Sequence, residues 1–492
     1  MDASARRVLG LISEMNTRLV VPVYQRPYSW EHAQCAQLWD DVLACGRRRT
    51  TPHFTGSIVT IADGSLSPAG VAALQLIDGQ QRITTIALML IALARYNRAH
   101  PDVRIPVTCD EILMSGYLTN HFRTGADHYK LTLSKGDRAT FASLIDHLED
   151  PQRRLVEDSP RLLDNLAFFE RRLEKLYPWD LNALWAGMQR LEVVSVALTQ
   201  GTDEPQAIFE SMNSTGKDLA SADLIRNFVL MSYPVAEQQD MYRVYWQPIE
   251  RIIGADSYDE AFDDFIRCYL TVARAPRSFA DCDVYRAFKR YIIVSSYDEG
   301  GRMRDFSLRL KRFARYYVAV TTSAVEDTEL ACALTRIRSL GVATANPLLL
   351  ALFDSFDHQV LSRSEFRAMV DMCEAYLLRR AVCDLSDEPL ADFFSQLVAR
   401  LSAVAEEDAD YALALSAMLL NEAGETTRFP DDAEFGAALE LQGGYVLERF
   451  PFMRDRLGAE VPAADIAARA LDTWPMPVAG EAACRMYRRV ER

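Results

Sequence analysis

Near residue 205 the sequence stops looking like a strand-forming chain, and this change limits the fold more than any other feature. Upstream, β-branched runs stand at Phe54–Ile61 (FTGSIVTI), Leu74–Ile77 and Leu191–Leu198 (LEVVSVAL), each bounded by Gly, Asp or Thr. Helical spacing fills the intervals, as in Ile83–Arg95 and Pro160–Leu176. Downstream, apolar residues recur at helical spacing through Tyr258–Val272, Phe306–Val320, Glu365–Val382 and Pro389–Val404, and strand signals nearly vanish. The pattern predicts an α+β N-terminal domain over residues 1–235 and a mostly α-helical domain over 236–492. Two domains also suit a chain of 492 residues. Met1 to Leu11 carries Arg6 and Arg7 and then a short mixed helix.

Several function classes fall away on composition. No apolar run approaches the ~18 residues a bilayer crossing needs, and the first residues carry no signal core. A cytoplasmic protein without membrane contact is expected. The nine cysteines are scattered, odd in number and free of any CxxC pair, which predicts free thiols rather than disulfides or a cysteine zinc site. A net charge of -15 disfavours non-specific adhesion to nucleic acid but leaves a local basic groove open. Two basic clusters stand out, Arg47-Arg48-Arg49 and the set Arg302, Arg304, Arg309, Lys311, Arg312 and Arg315. The second lies on a helical pattern and reads as a solvated face. The seven histidines form no HExxH, and there is neither a GxSxG nor a Cys/His pair.

Chemistry concentrates in three segments. In Leu76-Ile77-Asp78-Gly79-Gln80-Gln81-Arg82-Ile83-Thr84-Thr85 a short strand ends in Asp-Gly and a strong helix follows. The first turn of a helix offers unpaired N–H groups and the positive dipole end. Gly79 permits φ > 0 or a close approach, Arg82 brings a permanently charged fork, and Thr84 and Thr85 add hydroxyls. Such a junction is either a phosphate site, with Asp78 holding Mg²⁺ or another divalent cation beside the phosphates, or a plain capped turn. In Val21-Pro22-Val23-Tyr24-Gln25-Arg26-Pro27-Tyr28-Ser29-Trp30, two prolines stiffen an extended stretch. Its aromatics, Tyr24 among them, either stack on a base or pack into the core. In Ile208 to Leu219 (IFESMNSTGKDL) the Thr-Gly-Lys fails as a P-loop, because Ser211 replaces the first glycine and Asp218 follows the lysine. Asn213 there is either a ligand contact or a helix cap.

Taken together and in this order, VPVYQRPYSW, FTGSIV, LIDGQQRITT and IFESMNSTGK with ADLIRN resemble the N-terminal domain family of GmrSD-type, modification-dependent restriction systems. The resemblance covers roughly the first half of the chain and implies a ParB/sulfiredoxin-like α+β core. It further implies an NTP-hydrolysing sensor in anti-phage defence. Tyr24, Gln25, Arg26, Gly79, Thr84 and Asn213 would then bind the nucleoside triphosphate. Asp78, Gln80, Gln81 and Arg82 would form the hydrolysis motif, with a glutamine orienting water and Arg82 stabilising phosphoryl charge. Expected partners are nucleotide, modified DNA, a separate nuclease or other defence protein, and a second copy of the chain. Fused members of the family carry a histidine nuclease near the C-terminus. Here the last histidine is His358, so that activity is not expected. Two other readings stand beside the NTPase: a non-enzymatic, nucleotide-gated DNA-binding or scaffold protein, and a DNA nickase using the N-terminal site.

Overall fold

The computed structural model describes residues 1–48, 51–67, 70–103, 106–199, 202–213, 220–254, 258–280, 282–297, 302–405, 410–421, 425–458, 461–462 and 465–477. The chain divides into two compact units, Met1–Tyr242 and Arg243–Arg492. The first is α+β and the second is helical throughout its described elements. Among the described residues no helix is long and apolar enough to cross a membrane.

Six strands build one mixed sheet in the first unit: β1 (Asp2–Arg7), β2 (Thr17–Val20), β3 (His53–Leu66), β4 (Ala72–Asp78), β5 (Leu131–Thr132) and β6 (Leu191–Leu198), in the order β1-β6-β3-β4-β2-β5. β3 pairs antiparallel with β4 and parallel with β6. The β-branched runs read from sequence thus become the centre of the sheet. The short helix expected after Arg7 is Val8–Ile12 (α1), and a strand that the sequence reading did not name precedes it. Asp2–Arg7 pairs antiparallel with β6. The residues DASARR have little β propensity, so tertiary pairing overrides local preference.

The sheet buries both faces. Side chains alternate along a strand, so Ile58 and Leu76 join one apolar cluster while Val59 and Ile77 join the other. The larger cluster holds α2 (His32–Arg48), α3 (Gln80–Ala99), α4 (Cys109–Met114), α5 (Lys135–Glu149), α6 (Pro160–Leu173) and α7 (Pro178–Met188). On the other face pack α8 (Pro205–Asn213) and α9 (Ser221–Met231), through Ile208, Phe209, Leu224 and Met231. The first unit therefore includes helices beyond residue 205. α3 is the core helix: thirteen of its twenty residues are buried, which a helix apolar all round requires. Gly46 and Gly187 let α2 and α7 touch backbone to backbone. A Cβ on Gly46 would lie 1.7 Å from the Ala183 carbonyl oxygen, and one on Gly187 would lie 1.9 Å from that of Val42.

In the second unit the helix Met303–Thr322 buries Phe306, Leu310 and Phe313. Its arginines turn to local partners: Arg312 pairs with Asp354, and Arg309 lies over the rings of Tyr269 and Phe313. The Thr215-Gly216-Lys217 stretch and Arg49 lie outside the described residues, as does the side chain of Asn213.

Candidate functional site

The strand–turn–helix junction forms where β4 meets α3. Gly79 sits there at φ 94 and is buried. A Cβ on it would lie 3.0 Å from Ile58 Cγ1 and 3.1 Å from the Ser57 carbonyl oxygen, so β3 closes in too tightly for any other residue. Among the described residues no side chain caps α3, which leaves its first-turn N–H groups with the positive dipole end and no side-chain acceptor there. Arg82 donates through Nη1 to the Ser57 carbonyl. Its guanidinium covers Gly56 (φ 102), where a Cβ would be 3.0 Å from Nη2. Burial lowers the Arg82 pKa, and the Asp78 charge partly offsets this. Asp78 accepts from Ser57 Oγ at 3.4 Å.

The proline-bounded segment is stitched to this junction by glutamine amides. Gln25 Nε2 donates to the Ile77 carbonyl at 3.0 Å, and Gln80 Nε2 donates to that of Arg26 at 3.3 Å. Gln81 Oε1 accepts from the backbone N–H of Ser29 at 2.8 Å and of Trp30 at 3.3 Å, while its Nε2 donates to the Pro27 carbonyl at 3.3 Å. Behind the segment, the Tyr28 N–H donates to Asp137 at 2.6 Å, and the Tyr28 hydroxyl meets Thr85 Oγ1 at 2.7 Å. Seven hydrogen bonds thus hold a stretch that makes no ladder of its own between Pro22 and Glu31.

A third element reaches the same place from α9. Arg226, 8% exposed, donates through Nε to the Tyr24 carbonyl at 2.7 Å and pairs with Asp223. Arg26 is half-buried beside them. Burial lowers its pKa first; Asp223 raises it and Arg226 lowers it again. Among the described residues the Arg26 guanidinium has neither a hydrogen bond nor an ion pair. A partly desolvated cation without a partner among the described residues, near an uncapped helix start, has the chemistry to receive an anion.

The structure therefore brings Asp78, Gly79, Gln80, Gln81, Arg82, Gln25 and Arg26 together, and it corrects several expected roles. The Tyr24 ring is 1% exposed, so no face is open to a base; burial also pushes its hydroxyl pKa up. Thr84 is 2% exposed and belongs to the core side of α3. The amides of Gln80 and Gln81 are engaged with backbone rather than set toward a water. Asn213 ends α8. Sequence reading missed Gly56, Ser57, Asp223 and Arg226 as site residues. Their signal was present in FTGSIV and ADLIRN, but only the folded sheet shows what they touch. His32 stacks on Phe168 and His53 lies near Asp41, away from these groups. Among the described residues no three His, Cys, Asp or Glu side chains group as a metal cage.

Fold and site together define an α+β domain whose mixed sheet carries an arginine-lined helix start on a glycine turn. Residues 8–230 match the family described as GmrSD restriction endonuclease, N-terminal domain. The first unit belongs to that family, which ties the chain to restriction and defence systems. No curated protein matches the chain.

Proposed function

We propose that the first unit binds a nucleoside triphosphate and hydrolyses it, as the sensor component of a DNA-restriction or anti-phage system in which a separate nuclease makes the cut. One observation carries this reading: Arg26 and Arg82 stand near the uncapped start of α3, and neither is ion-paired among the described residues. Phosphate oxygens would accept from the first-turn N–H groups of α3 and from Arg26. Arg82, already desolvated, would stabilise charge on the transferring phosphoryl group. Asp78 with the Ser57 hydroxyl fits a divalent cation that takes its other ligands from phosphate and water, as Mg²⁺ usually does. Such an ion would neutralise phosphate charge. Modified DNA is the proposed signal.

A specific observation favours a second reading, a nucleotide-gated protein that does not hydrolyse. The amides of Gln80 and Gln81 hold the segment from Arg26 to Trp30, so a bound nucleotide would tighten or loosen that segment directly. Phosphate release from each nucleoside triphosphate, with and without DNA, separates the two. Turnover that DNA alters and Arg82→Ala abolishes supports the sensor NTPase. Binding without turnover, weakened in Gln25→Ala, supports the gate. The absence of any binding overturns both.

A further inference from the structure

The first unit carries a second feature that the nucleotide reading does not use. Tyr177 and Trp179 flank Pro178, the first residue of α7. Their rings stack on each other, centroids 4.7 Å apart and planes 11° apart, yet they are 61% and 65% exposed. Two large aromatic side chains left in water next to each other cost apolar burial that a folded chain ordinarily recovers. The pair borders a groove of about 680 Å³ that also includes Arg47, Asp180 and Asn182.

The mount is rigid. Pro178 fixes the entry to α7, and the Gly46–Gly187 contact locks α7 against α2. Arg47, in the last turn of α2, lines the groove. It donates Nε and Nη2 to Asp180 at 3.1 and 2.8 Å, which leaves Nη1 without a partner among the described residues. Arg48 is exposed beside it in sequence, and its side chain has no partner among the described residues. Asp180 is neutralised by Arg47, so the net local charge of this trio is positive in a chain whose total is -15. A polypeptide partner recognised by hydrophobic contact would not need that charge. Flat π faces with an adjacent cation suit stacked bases on a phosphate backbone.

We propose that the Tyr177–Trp179 pair is a stacking platform for single-stranded nucleic acid, with Arg47 and Arg48 meeting the backbone phosphates. The platform takes any unpaired base, because every base has a π face. It stands apart from the nucleotide reading and can fail alone.

Trp179 reports on its own occupancy. Trp39, Trp185, Trp246 and Trp474 are buried and Trp30 is half-buried, so Trp179 dominates collisional quenching by acrylamide. The test titrates a short fluorescein-labelled oligothymidylate strand with the full chain at low salt, reading affinity of parent and variants from label anisotropy, and follows tryptophan emission of the parent with the unlabelled strand. The expected result is quenching that saturates, protection from acrylamide, and at least about fivefold weaker binding in Trp179→Ala. Trp179→Phe, which keeps a π face, holds affinity within a few fold. Arg48→Ala lowers the slope of log affinity against log salt by about one. Both rings are exposed, so thermal melts of the variants stay at the parent value. Binding that leaves Trp179 emission unchanged, or affinity unaltered in Trp179→Ala, overturns the proposal. So does the absence of binding at low salt. A proline-rich peptide that quenches Trp179 where the oligonucleotide does not overturns it too, since aromatic grooves also hold such helices.

Discussion

Both units draw arginines out of water, and they supply partners to them unequally. In the second unit Glu374 is wholly buried and accepts two hydrogen bonds from Arg336 at 2.7 Å, one from Arg456 at 2.9 Å and one from the Trp474 indole at 2.7 Å. Arg379, also wholly buried, donates to the carbonyls of Trp474 and Pro430 and pairs with Asp432. These side chains clasp the segment at Trp474 to the helix Arg363–Val382. In the first unit Arg226 is likewise paired with Asp223, whereas half-buried Arg26 has no hydrogen bond or ion pair among the described residues and Arg82 has a carbonyl. Burial works against the charge in each case. Hydrogen bonds and charge from Glu374 more than offset it at Arg336, whose pKa is raised, whereas desolvation prevails at Arg26 and Arg82. A buried arginine whose donors are met by protein is a fastener. One that stays short of partners is held ready for something that arrives.

The comparison breaks most easily at Glu374. Glu374→Ala strands two guanidinium groups and an indole N–H, and it is expected to cost about 3–5 kcal/mol of unfolding free energy. Denaturant melts measure it, and a cost below about 1 kcal/mol would remove the fastener interpretation. Gly79→Ala comes next. The residue keeps φ 94, and its new Cβ must push against Ser57 and Ile58. A cost of roughly 1–3 kcal/mol is expected, together with weaker nucleotide binding, because β3 must back away from the start of α3. Equal nucleotide affinity in this variant would separate the turn from the site.

The fold was legible in the sequence where one element satisfies itself. The β-branched runs at Phe54–Ile61 and Leu191–Leu198 and the apolar helix after Arg82 declare themselves by side-chain pattern alone, since central strands and core helices are apolar for local reasons. β1 declares nothing, because its identity comes from β6 beside it. The site follows the same division. Asp78-Gly79 and Arg82 were legible as a turn before a helix. The tasks of Gln80 and Gln81 were not, because an amide reads the same whether it faces water or the backbone of a segment some fifty positions away. Arg226 bonds the Tyr24 carbonyl 202 positions from it, a pairing that no local pattern encodes. Tyr24 shows the converse: an aromatic between prolines reads as a platform, and the fold buries it.

Gln81→Ala probes the stitching. It removes the acceptor for the Ser29 and Trp30 N–H groups and the donor to Pro27. The expected cost is about 1–3 kcal/mol, with hydrogen-exchange protection lost first at those two amides. Protection unchanged there would show that the segment is held without Gln81, by the bonds of Gln25, Gln80, Arg226 and Asp137.

The smallest expected change in stability is the most informative. Arg26→Met keeps the aliphatic stem and removes a guanidinium that has no hydrogen bond or ion pair to lose among the described residues. It gives up an attraction to Asp223, relieves the desolvation of the charge and a repulsion with Arg226, and leaves the Arg226–Asp223 pair in place. Unfolding free energy should stay within about 0.5 kcal/mol of the parent, or rise. Nucleotide affinity should fall by about tenfold to a hundredfold, the worth of a charge-assisted hydrogen bond to phosphate. The two readouts together discriminate. A large stability loss would make Arg26 a fastener like Arg379, and unchanged affinity would place the phosphates elsewhere. Stability kept while affinity drops would mark Arg26 as a cation that the fold holds in reserve for its ligand.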